Sequence, residues 1–147
     1  MKLCFFIGHR DAPDSLSGKL DEMIERHIAD FGVNSFAVGN YGHFDRMAQS
    51  ALARVKKRHA EISVRLAIPY HPSLVRMELP EGFDSSYFPE GQEKVPPRAA
   101  IPHLNRTLVR ESGFLIAYVR YISNGTYNMM EYARKREKRG LLHITTL

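Results

Sequence analysis

Three short stretches of this chain gather residues that can do chemistry. "GHRD" at 8–11 opens with Gly8, His9 and Arg10; "GNYGHFD" at 39–45 carries Gly39, Asn40, Gly42 and Asp45; "SNGT" at 123–126 carries Asn124, Gly125 and Thr126. Glycine lets backbone come close to a ligand. A helix that starts directly after such a loop aims unpaired N–H groups outward, each start being equivalent to about half a positive charge, so a phosphate is the ligand such loops suit. Arg10 and Arg106 can clamp a phosphate with their planar guanidinium forks. His9 can act as an acid or base near neutral pH, or contact ligand. Asp45 can hold a ribose hydroxyl. Each residue also has a plainer reading. Strand-to-helix turns use glycine without any ligand, the two arginines can pair with Asp45 or Glu111, and an acid in a helix first turn stabilises the dipole.

Such loops matter only if the fold brings them to one rim. "KLCFFI" at 2–7 and "FLIAYV" at 114–119 are apolar throughout, as strands covered on both faces are. Leu16, Leu20, Met23, Ile24, Ile28 and Phe31 keep helical spacing, and Gly32 follows as a stop. "VNSFAV" at 33–38 reads as the next strand, followed by a helix from His43 or Phe44 whose stripe is Phe44, Met47, Ala48, Ala51, Leu52 and Val55. "ISVRLAI" at 62–68 alternates, which suits a strand nearer the sheet edge. Residues 70–98 hold five of the eight prolines and one short strand candidate, "FDSSYFPEG". This long connection reads as a loop or lid, its proline-stiffened part "YFPEGQEKVPPR" serving as a lid or an oligomer contact. A helix from Ala99 or Pro102 carries Ile101, Leu104 and Leu108 on one face, another runs from about Thr126 to Lys138, and "LLHITTL" follows Gly140 as the last strand. Met129, Met130 and Tyr132 read as core or subunit interface. Strands alternating with helices predict an α/β chain: a Rossmann-like three-layer sandwich with a mainly parallel sheet, residues 1–147 forming a single domain.

The 147 residues are 44% hydrophobic and 25% charged, an ordinary balance that excludes wholesale disorder and a membrane protein. The apolar run before Gly8 is far shorter than a signal peptide or a spanning helix needs, so a cytoplasmic location is expected. Cys4, the one cysteine, has no internal disulfide partner and reads as core filler. His43, His71 and His103 have no near partner at ligand spacing, so no metal site and no cofactor is expected. The net charge of +5 suits an anionic ligand or a nucleic acid. Its basic clusters "RVKKRH" at 54–59 and "RKREKR" at 134–139 sit near helix ends, where they complement the dipole, and neither is interleaved with aromatics. No G-x-x-x-x-G-K-[ST] or G-x-G-x-x-G occurs, which argues against a P-loop ATPase or a common dehydrogenase.

"GHRD", "VGNYGHFDRMAQ", "AIPY", "YFPEGQEKVPPRAAI", "NRTLVRESGFLIAYV" and "NGTYNMMEYA" occur in an order and spacing that resembles bacterial proteins of the SLOG superfamily, which joins the DNA-processing protein A domain to the Lonely Guy phosphoribohydrolases. The chain looks closest to that superfamily's uncharacterised Rossmann-like branch. By this resemblance Gly8, His9 and Arg10 lie at the ligand crevice, Gly39 and Asp45 bound a glycine-to-aspartate motif, Asn105 and Arg106 form an Asn-Arg pair on the helix before "FLIAYV", and Gly125 is the turn after it. Many relatives have paired glycines where this chain reads Asn124-Gly125, and asparagine tolerates positive φ better than most residues. The Lonely Guy enzymes carry P-G-G-x-G-T-x-x-E. Here "SNGTYNMME" puts Glu131 five residues past Thr126, which turns its carboxylate by about 160° on a helix. A different carboxylate, such as Glu90 or Glu93, would then have to serve any N-glycosidic hydrolysis.

The reading that emerges is a nucleotide or nucleotide-derivative binding or sensing module, a homo-oligomer with a small phosphorylated ligand and no membrane partner. Phosphate is expected at the Gly39 and Gly125 helix starts, neutralised by Arg10 and Arg106, with His9 and Asp45 orienting sugar or base. The alternatives are a nucleotide N-glycosidase and a single-stranded DNA-binding protein.

Overall fold

The structure, a computed structural model, describes residues 1–123 and 125–147. Six strands and four helices follow one another along the described residues, alternating except that β4 follows β3 directly: β1 (Leu3–Gly8), α1 (Ser17–Phe31), β2 (Ser35–Val38), α2 (His43–Arg58), β3 (Ser63–Ala67), β4 (Ser85–Tyr87), α3 (Ala100–Glu111), β5 (Phe114–Tyr118), α4 (Thr126–Lys138) and β6 (His143–Thr146). The strands form one sheet in the order β4-β3-β2-β1-β5-β6. Every pairing is parallel. The expected α/β sandwich is the one observed, with a sheet that is parallel throughout.

Side chains leave alternate faces of a strand, and β1 shows the consequence directly. Cys4 and Phe6 join a core with α1 and α2 on one face of the sheet. Leu3, Phe5 and Ile7 join a second core with α3 and α4 on the other. Both faces are dry, which is why β1 is an unbroken apolar run. Phe44, Met47, Ala48, Ala51, Leu52 and Val55 are all buried in α2, as their spacing requires. Gly32 caps α1 in the left-handed region at φ 68°, and an N-terminal 3-10 turn at Asp14–Leu16 leads into that helix. His27 is a buried polar residue within the α1 stripe. Its Nδ1 hydrogen-bonds the Met23 carbonyl oxygen at 2.7 Å.

β3 lies one strand in from the edge, and its outer neighbour is β4, the short strand inside "FDSSYFPEG". The chain therefore enters the sheet in the middle of the 70–98 connection. Beyond β4, buried Gln92 holds the segment down. Its amide N–H group donates to the Pro69 and Ala100 carbonyls at 3.3 and 2.8 Å, and its oxygen bonds His103 Nδ1 at 2.9 Å. The proline-rich stretch is thus fastened to the start of α3. Leu74, Val75 and Leu79, by contrast, are exposed.

The order of the sheet places the site. From β1 the chain builds outward through β2, β3 and β4, then returns to the other side of β1 with β5 and β6. The carboxyl ends of β1 and β5 flank that reversal, which is where ligands lodge in open parallel sheets.

Candidate functional site

A cleft of about 220 Å³ opens at this reversal point. Its walls are apolar: Phe6 and Ile7 from β1, Ile101, Pro102 and Leu104 from α3, and Met129 from α4. Its polar lining comes from Arg10, Tyr41, Asp45, Asn105 and Thr126, with Gly8, Gly39 and Gly125 completing the rim. The three loops singled out from the sequence thus reach one cavity. They differ in what they offer it.

The glycines are there for different reasons. A Cβ on Gly8 would stand 2.2 Å from Cγ of the fully buried Phe44, so glycine is required by packing of α2 on β1. A Cβ on Gly39 would meet Asp45 Oδ2 at 3.0 Å. Gly42 has φ +119°, and a Cβ there would lie 2.9 Å from Arg10 Cα. Gly42 caps α2 rather than lining the cleft. Gly125 is unlike these three. Its φ of −97° is open to any residue, and among the described residues nothing beyond its chain neighbours lies within 4 Å of where its Cβ would be. Neither conformation nor packing asks for glycine at 125.

At α2 the His43 N–H donates to the Arg10 carbonyl at 2.9 Å, and the Tyr41 N–H just before it donates to Asp45 Oδ2 at 3.0 Å. The protein's own oxygens thus take the first N–H of that helix, while Gly39 stays in the cleft lining. Asn40 is likewise taken up on the surface, accepting from Gln49 Nε2 at 2.9 Å. At α4 the cap residue Gly125 offers no side chain, and Ser123 Oγ takes only the Tyr127 N–H at a long 3.4 Å. The Thr126 side chain has no hydrogen-bond partner among the described residues. Asn124 lies outside the described residues.

Arg10 is exposed at the cleft mouth and pairs with no carboxylate among the described residues. Asn105, half-buried in the cleft, likewise has no partner among them. Its neighbour Arg106 does not reach the cleft. One residue turns a helix by about 100°, and Arg106 instead lies over the Tyr132 ring, 4.0 Å from its centroid, on the outer side of α3 and α4. The expectation that Arg106 neutralises a phosphate in the cleft is corrected on that ground.

His9 is held by contacts within the protein at the edge of the site. It is only 2% exposed, and its Nε2 accepts the Arg120 N–H at 2.9 Å, which fixes a neutral ring with the proton on Nδ1. Burial lowers its pKa, against a smaller opposing effect of the Asp11 charge. Its ring stacks on Tyr121 with centroids 3.8 Å apart, and the Tyr121 hydroxyl donates to Asp11 Oδ1 at 2.5 Å. His9 therefore ties the β1 loop to the β5 loop. With Asp11, Tyr121 and Ser123 it lines an open recess that shares Arg10, Gly125 and Thr126 with the cleft.

Asp45 is the one carboxylate lining the cleft among the described residues. Burial pushes its pKa up to about 7, the Tyr41 N–H opposing the rise. Tyr41, which the sequence reading passed over, joins the lining, and burial raises its own pKa. Of the other carboxylates considered, Glu131 lies in the recess with Arg106, and Glu93 Oε2 accepts the Gly91 N–H. The cluster at 54–59 is largely paired: Arg54 with Asp21, Lys56 with Asp84, and Arg58 and His59 with Glu25. No helix among the described residues is long and apolar enough to cross a membrane.

The chain is similar to a solved structure, the molybdenum cofactor carrier protein MCP from Chlamydomonas reinhardtii, with a TM-score of 0.58 and 14% identity over 99% of this chain and 90% of that one. The likeness is one of fold. No protein-family model and no curated protein sequence matches the chain.

Proposed function

We propose that the cleft binds a nucleotide or nucleotide-derived anion and that the protein is a binding or sensing module of the SLOG type. The observation that carries this reading is the pairing of an unpartnered guanidinium, Arg10, with an α4 start whose cap is a glycine that the fold itself does not require. Phosphate belongs there, on the Thr126 end of the helix dipole and under the Arg10 fork. Asn105 supplies an unsatisfied amide for the sugar, and Asp45 accepts a ribose hydroxyl when ionised. The cleft is smaller than the roughly 300–1,000 Å³ usual for ligand pockets. It takes the phosphoribosyl part, and the base extends into the adjoining recess against the outer face of Tyr121, a ring 49% exposed. MCP is named as a carrier of a cofactor, and carriage on a similar fold supports binding without turnover.

A thermal-shift panel of nucleotides and sugar phosphates tests the reading. A ligand at a hundred times its Kd adds about 2.7 kcal/mol, and at this chain length about 2–4 °C accompanies each kcal/mol. A hit that disappears in Arg10→Ala supports the site. A panel without hits, or a hit indifferent to Arg10→Ala, overturns it.

An N-glycosidase is the second reading, and it rests on Asp45 alone, a cleft carboxyl that titrates near neutrality. Chromatography of each hit after incubation decides it: release of free base, lost in Asp45→Asn, favours the enzyme. Single-stranded DNA binding has less support, because the ion pairs at 54–59 already neutralise one of the two basic clusters.

A further inference from the structure

On the outer side of α3 and α4 lies a second recess, of about 360 Å³, that the cleft does not use. Arg106 lines it from α3, Glu131, Tyr132, Lys135 and Arg136 from α4, and Arg139 from the cap just after α4. Four cations thus face one acid in a concave space, and none of the four makes an ion pair among the described residues. The contrast with the same helix is direct: Arg134, one residue from Lys135 but turned away, pairs with Glu137 at 3.0 Å. The four cations share the lining of one recess.

A second observation points to what is missing. Arg136 Nη2 donates to the Arg110 carbonyl at 3.1 Å, while its Nε is buried with no hydrogen-bond partner among the described residues. Buried donors are nearly always satisfied. A small rotation of this guanidinium toward the recess would exchange one carbonyl bond for a two-pronged grip on an anion. The Tyr132 ring is already covered by Arg106, so its near face is closed to a stacking base. Recognition by stacking is therefore not what the recess is built for.

We infer that this recess is an anion site, separate from the cleft, for a compact ligand bearing several phosphoryl groups. Four cations lining one recess match several charges held close together. A nucleic-acid strand calls instead for an extended basic track with open aromatic faces.

The test is titration of the full chain with tripolyphosphate, followed by the arginine Nε–H NMR signals, with calorimetry for affinity. Arg136 Nε–H is expected to shift on titration in both the wild type and Arg10→Ala. Lys135→Glu with Arg139→Glu, two exposed positions whose reversal leaves the fold intact, is expected to weaken binding at least tenfold at 0.1 M salt. The inference is overturned if the Arg136 signal stays still at millimolar tripolyphosphate, if Arg10→Ala removes the binding, or if the double reversal leaves affinity unchanged. It is also overturned if a 20-nucleotide single strand binds this face and tripolyphosphate does not. Because the Arg10→Ala arm is separate, failure here leaves the reading of the cleft standing, and the reverse holds as well.

Discussion

Replacing Gly8 by alanine separates a glycine kept for packing from one kept for a ligand. The added Cβ would stand 2.2, 2.4 and 2.6 Å from three carbons of the Phe44 ring. Carbon atoms pack best at about 3.5–4.0 Å, so the ring must retreat by about 1 Å. It has nowhere to go, being fully buried in the α1–α2 core and stacked toward Tyr118. Overpacking of this kind costs up to about 3 kcal/mol, or about 6–12 °C in Tm for a chain of this size. Urea unfolding should show that loss in Gly8→Ala, and the loss should shrink by at least about 1 kcal/mol when Phe44 is leucine, because the two positions then couple less. At Gly125→Ala the new methyl meets open space, and only the weaker capping preference of alanine, about 0.5 kcal/mol, is lost. Its effect should fall on ligand affinity, by tenfold or more. Equal stability costs at the two positions, or a Gly8 cost indifferent to Phe44, would refute the assignment of separate roles.

Arg10→Ala should leave unliganded stability within about 0.5 kcal/mol of wild type, since the side chain is exposed and unpaired, while abolishing any nucleotide-induced Tm shift. Arg106→Ala should do the opposite in calorimetry, losing about 0.5–1 kcal/mol of cation–π stability with no effect on a ligand in the cleft. Asp45 holds its proton more tightly folded than unfolded, so its contribution falls as pH rises from about 4 to about 7 and is constant above. Asp45→Asn should therefore gain on the wild type across that window, by at most about 1.4 kcal/mol per pH unit in urea unfolding, and a pH-independent difference would contradict the burial argument. Gln92→Ala removes three buried hydrogen bonds, and limited proteolysis should then cut within 88–98 at protease concentrations the wild type resists.

The architecture was legible because the strongest signals in the sequence are those of burial. β1 and β5 are covered on both faces and read as unbroken apolar runs, and the α2 stripe keeps its period for four turns. The rim was legible for a related reason, since strand tips in a parallel sheet all point one way. Side-chain direction was not legible. Asn105 and Arg106 are neighbours in sequence, yet one faces the cleft and the other the outer recess. Tyr41 sits in the cleft between two residues that do not line it, with no pattern to mark it. His9 looked like a ligand contact because it follows a strand tip, but the partner that fixes it, the Arg120 N–H, lies 111 residues away.

Glycine illustrates why motif reading places a site better than it explains one. Gly8 and Gly42 lie near the cleft, and each is required by a neighbour within the protein, Phe44 and Arg10 respectively, whereas a Cβ on Gly39 would press only on the movable carboxylate of Asp45. A chain with no ligand at all would need Gly8 and Gly42 to seat α2. Gly125 has no such neighbour. Yet a glycine there gives up conformational entropy and capping strength that serine or aspartate would supply. An acidic cap would also repel an anion from the same helix end, so the choice of the one cap with neither side chain nor charge fits a position that must admit a phosphate. On the proposed function the α4 start is therefore the first place for the anion, with Arg10 the cation beside it.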